Sequence, residues 1–155
     1  MKKTFFTTAI IASLTLGALS APVLAGPEDI VIEDAWSRAS IGTDRPGAAY
    51  MTIRNAGEET VLLIGLETPL AMMPEIHESK TNADGVSSMS PAGEITIAPG
   101  ESVLLEPGGL HAMLMRLKEP MVEGQTFELK LLFENSDDVT VEVPILSIAS
   151  RGPES

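Results

Sequence analysis

A short run of β-branched or alternating apolar residues, closed by Gly, Pro, Asn or Asp, recurs along this chain and limits its fold more than any other feature. Such runs span residues 30–38, 48–55, 60–66, 75–80, 86–89, 94–97, 102–106, 110–117, 126–133 and 139–146. In the run Thr126–Phe133, Phe127, Leu129 and Leu131 alternate with Glu128 and Lys130, the period of a strand with one wet face. With eleven prolines and few uninterrupted helical patterns, the chain reads as all-β, an antiparallel sandwich or Greek-key barrel. A short helical turn is expected near residues 69–73, and the stretch after Leu146 reads as a disordered tail, with 150–155 the flexible end.

Residues 1–25 have a secretory layout: Lys2 and Lys3, an apolar run, then small residues ending at Ala25. They are read as a cleaved signal peptide, which implies an exported, periplasmic protein. Residues 26–149 are then a single domain around one core. Its acidic balance, −12 over the whole chain, repels nucleic acid and anionic membranes. The chain has no cysteine, so disulfides, thiol lipid attachment, zinc ribbons, redox pairs and blue-copper centres are all excluded as ways of using one.

Candidate chemistry gathers in Pro107-Gly-Gly-Leu-His-Ala-Met-Leu-Met-Arg116. Side chains two apart on a strand point the same way, so His111 and Met113 share a face with Cα atoms roughly 6.5 Å apart. Met115 lies on that face about 13 Å from His111 and reads as core. The second histidine is His77, and Met89 is the only methionine between the two histidines. Two imidazoles and two thioethers suit Cu(I), whereas zinc and calcium prefer thiolate or oxygen. A methionine on an apolar strand is commonly core filler, so His-x-Met alone stays compatible with a metal-free envelope binding module. Enzymatic readings have less behind them. No nucleophile elbow or phosphate cradle occurs, acidic pairs such as Glu33-Asp34 read as turn or edge residues, and aromatics are too few for a stacking surface.

Taken together, the residues resemble the periplasmic copper chaperones of the PCu(A)C family. That family's signature is a His, a Met some eleven residues on, a 21-residue gap, and then His-x-Met. Here 21 residues separate Met89 from His111, and Met113 completes the motif. The segments containing Trp36 and Arg38, Tyr50 and Asn55, and "FELKLLFE" follow in the family's order. The resemblance implies a cupredoxin-like β-barrel, no enzymatic activity, and one Cu(I) held by His77, Met89, His111 and Met113. It further implies a monomer that passes copper to a recipient such as an oxidase copper subunit or a Sco-type protein.

One departure tests the pattern. His77 and Met89 are twelve positions apart, one more than usual. A two-residue turn at Asp84-Gly85 would put Met89 on the face opposite His77, whereas a three- or five-residue loop or a bulge around residues 81–85 keeps both on one face. Nothing after Met121 is His or Met, so a single site selective for Cu(I) over Cu(II) is expected. Met72, Met73 and Leu110 are candidates to shield it, or else core.

Overall fold

The computed structural model describes residues 27–153; the expected leader lies outside them. A short 3-10 turn at Pro27–Asp29 leads into ten strands: β1 (Ile30–Arg38), β2 (Gly47–Asn55), β3 (Val61–Glu67), β4 (Ala71–Thr81), β5 (Ser87–Pro91), β6 (Ile95–Ile97), β7 (Ser102–Leu105), β8 (Leu110–Leu117), β9 (Thr126–Phe133) and β10 (Val139–Leu146). Each run read from the sequence is a strand. The helical turn expected near 69–73 is absent, because β4 begins at Ala71. Long-range pairing overrides the local signal there: Ala71 and Met73 pair with Leu117 and Met115, and Lys118 N–H donates to the Leu70 carbonyl at 2.9 Å.

The strands form one sheet in the order β5-β4-β8-β7-β2-β1-β10-β9-β3-β6, folded over on itself. The fold line is β1. It pairs antiparallel with β2 in two stretches, residues 30–33 and 36–37, and its end, Ser37 and Arg38, also runs parallel to Ile145 and Leu146 of β10. Between these lies a bulge at Glu33–Trp36, where Asp34 takes a left-handed φ of 52° that aspartate tolerates better than most residues. The bend brings Met51, Ile53, Leu105, Ala112 and Leu114 of one half onto Leu63, Leu129, Leu131 and Val143 of the other, in one continuous core. Each fully buried side chain of this kind contributes about 1.5–3 kcal/mol, which lets the core stand without disulfides. The architecture is the cupredoxin-like sandwich that the alternation and the family resemblance implied.

Buried polar groups in the core are satisfied. Asn55, fully buried, donates to the carbonyls of Glu59 and Ile97 at 2.7 and 2.9 Å and accepts from Gly57 N–H at 3.0 Å. It thereby ties β2 to the β6 end of the sheet. Beyond β10 the chain is held at Ser150, whose carbonyl accepts from Arg38 Nε at 2.7 Å.

Candidate metal centre

The site is built from the pairing of β4 with β8. These antiparallel strands set His77 opposite His111, Glu75 opposite Met113 and Met73 opposite Met115. Residues at spacing two share a face, so all six side chains project from the side of the sheet opposite Ala112, Leu114 and Ile76, which lie in the core. The two imidazole rings stand 6.3 Å apart between centroids, inclined by 47°.

Met89 arrives from the neighbouring hairpin. Thr81 pairs with Ser87, leaving a five-residue loop at 82–86, and Met89 pairs with Ser79. Ser79 shares a face with His77, so Met89 does too. The extra residue between the first His and the first Met is thus absorbed in the loop. Asn82 organises that loop, its Oδ1 accepting from the N–H groups of Asp84 and Val86 at 3.0 and 2.9 Å. Gly85 supplies the positive φ of 79° that closes it. Met89 remains 53% exposed.

Met89, His111 and Met113 line a common cleft of about 400 Å³, with Arg38, Arg45 and Tyr50 on its other wall. His77 does not line this cleft; it stands beside it, its ring 6.3 Å from that of His111. His111 is buried, and its Nδ1–H donates to the Gly109 carbonyl at 3.0 Å. A carbonyl only accepts, so this contact puts the proton on Nδ1 and leaves the Nε2 lone pair free for a ligand's role. His77 is held by the opposite nitrogen, Nε2, 3.2 Å from Glu75 Oε2, which leaves Nδ1 with the lone pair. Pro107 and Gly108 place His111 just inside the strand, at the rim where loops converge.

The electrostatics of the cleft run against the rest of the chain. Arg38 lies over the Trp36 and Tyr50 rings, 5.4 and 5.7 Å from their centroids, and those rings stack at 4.6 Å. Burial raises the Tyr50 hydroxyl above its ordinary pKa, with Arg38 acting in the opposite direction. Arg38 and Arg45 bring positive charge to the cleft, and the Glu75 carboxylate, opposite Met113 and 3.2 Å from His77, brings negative charge beside it. Among the described residues no three His, Cys, Asp or Glu side chains converge as a metal-binding group.

Two residues differ from their expected roles. Met115 is not core: it projects from the donor face, partly exposed, opposite Met73. The core positions of β8 are Ala112 and Leu114, and a left-handed Arg116 (φ 54°) breaks the alternation so that Leu117 turns inward. Met72, 64% exposed, faces a separate groove lined by Leu66, Pro69, Pro74 and Lys130, away from the donors. Leu110 packs against the core. Sequence reasoning missed Glu75 and Arg45. The spacing Glu-x-His on a strand was a readable signal for the first. Nothing local could have placed Arg45 in the cleft, because the segment carrying it reaches the site only through β2 pairing with β8.

Residues 30–145 match the family model described as "Putative lipoprotein LpqE-like". The chain is 29% identical over 142 residues to "Putative lipoprotein Lxx21020" of Leifsonia xyli subsp. xyli, covering 88% of this chain and 84% of that protein. Among solved structures, the apo PCuAC domain of PmoF2 is 22% identical and superposes with a TM-score of 0.65, over 81% of this chain and 95% of that one. The Cu(I) form of DR1885 from Deinococcus radiodurans is 28% identical with a TM-score of 0.60, over 83% and 81%. The fold is therefore that of the PCuAC domains, as the residue pattern implied.

Proposed function

The chain belongs to the LpqE-like family, and from that premise we propose that it is an exported copper chaperone. It binds one Cu(I) through His77, Met89, His111 and Met113 and passes it towards the copper centre of a respiratory oxidase. The observation that supports this reading is the register: two strand pairings and a five-residue loop put His77, Met89, His111 and Met113 on one face. Its support from relatives is that similar structures are described as copper-bound, the PCuAC domain of PmoF2 and Cu(I)-DR1885.

The geometry suits a carrier rather than a catalyst. His111 is fixed and buried, His77 is oriented by Glu75, and Met89 is exposed on an outer strand. An incoming ligand can displace the Met89 sulfur first, while the imidazoles hold the ion until a second ligand arrives. Copper then moves by ligand exchange without being released to water. Soft thioether ligands favour Cu(I) over Cu(II). The recipient would be an oxidase copper subunit or a Sco-type protein, met in the periplasm by a monomer. No helix among the described residues is long and apolar enough to cross a membrane.

The test is competition for Cu(I) against a chromophoric chelator, with His111→Ala and Met113→Ala alongside the parent. Tight 1:1 binding that each substitution weakens by at least about tenfold is expected, since even partners one step removed from a metal typically matter that much. Micromolar or weaker binding, indifferent to both substitutions, overturns the reading. Acidification should weaken binding, because an imidazolium has no lone pair to offer.

A further inference from the structure

We propose that Met73 and Met115, with Met113, form a second, sulfur-only site for a soft monovalent cation, which feeds the His and Met centre through Met113. This takes the identity of the ion from the reading above but stands on different residues. Met73 and Met115 are directly opposite one another on β4 and β8. Such pairs have Cβ atoms about 4.5–5.5 Å apart, well within the span that two flexible thioether arms close around one ion. Met113 is the next residue on the same face of β8, about 6.5 Å along the strand from Met115 and equally far from His111. It neighbours both centres.

Core packing does not use these side chains: Met73 is exposed, and Met113 and Met115 are half-buried. Ala112, Leu114 and Ile76 occupy the core face, whereas Met73 is 38% exposed and neither Met113 nor Met115 belongs to the core. Solvent-facing thioethers are open to oxidation in an exported protein. Glu75, opposite Met113 and with its carboxylate partly exposed, places a negative charge between the two centres. An ion held by Met73 and Met115 can take Met113 as its next ligand. With Met113 bound, the ion exchanges the Met73 and Met115 sulfurs for the two imidazoles. Met113 first adds as a third ligand, and each later step makes one Cu–N bond as one Cu–S bond breaks, with no change of oxidation state.

The experiment uses the full chain with methionine methyls labelled with carbon-13, titrated with Ag(I) as a redox-inert probe and then with Cu(I) under a reductant. The Met89 and Met113 methyls should move with the first equivalent and those of Met73 and Met115 with the second. Met72, exposed but facing the other groove, should stay still, as should buried Met51 and Met121. Met73→Leu with Met115→Leu should abolish the second event and leave first-equivalent affinity within about twofold, since exposed isosteric swaps are well tolerated. Unmoved Met73 and Met115 through five equivalents, or a second event that survives the double substitution, overturns the proposal. If Met73 and Met115 respond while Met89 does not, the sulfur-only site stands and the four-donor centre falls.

Discussion

Moving the Met89 sulfur by a single residue isolates the role of strand register. Ser88→Met combined with Met89→Ser keeps composition, chain length and loop length, yet turns the thioether over. Ser88 pairs with Lys80, whereas Met89 pairs with Ser79, and only Ser79 shares a face with His77. The exchanged variant therefore presents three donors instead of four. Loss of a direct ligand should cost at least the tenfold typical of weaker partners, or about 1.4 kcal/mol of Cu(I) binding. Folding should hardly notice, because all five residues of β5 are exposed, and surface exchanges of this kind usually stay within about 0.5 kcal/mol. Chelator competition measures the first quantity and urea denaturation the second. Ser88→Met alone, which adds a sulfur on the wrong face, should bind like the parent. An exchanged variant with parental affinity would refute the assignment of Met89 by register.

Three further outcomes are expected. Long-range proton–nitrogen spectra of the apo protein should show opposite tautomers, Nε2–H in His77 and Nδ1–H in His111, and Glu75→Ala should release only the first. Asn55→Ala strands the buried Ile97 carbonyl and removes two further bonds, so urea denaturation should show a loss of about 2–3 kcal/mol with an unchanged m-value. The Lys130 ammonium, 2.9 Å from Asp138, holds that carboxyl below its ordinary pKa. Its contribution to stability is thus present above the ordinary carboxylate range and is lost as pH falls through the lowered value. Asp138→Asn should lower the melting temperature slightly at neutral pH and converge with the parent in acid, which flattens the acid limb of the profile.

The contrast between β9 and β4 shows where sequence reading succeeds. Thr126–Phe133 alternates cleanly, and Phe127, Leu129, Leu131 and Phe133 are buried as the pattern requires. Residues 71–74 lack such a signal and extend β4 only because β8 offers partners for Ala71 and Met73. Met115 was misread for a related reason. Period two assigns it the face of His111 and Met113, but nothing in the sequence says which face of β8 meets the core. Ala112 and Leu114 settle that by packing against the other half of the sheet, which leaves the whole methionine-bearing face outward.

By itself, then, the sequence determined the strand segments, the pairing of an imidazole with a thioether at spacing two, and the donor chemistry, because all of these follow from local geometry and residue type. Only the tertiary structure decided that His77 stands opposite His111, that a five-residue loop returns Met89 to their face, and that Arg38 and Arg45 wall the cleft. Those relations join residues far apart in the chain. The physical reason is that cross-strand register is set by the packing of both faces of a folded sheet at once, and no local stretch of sequence carries that information.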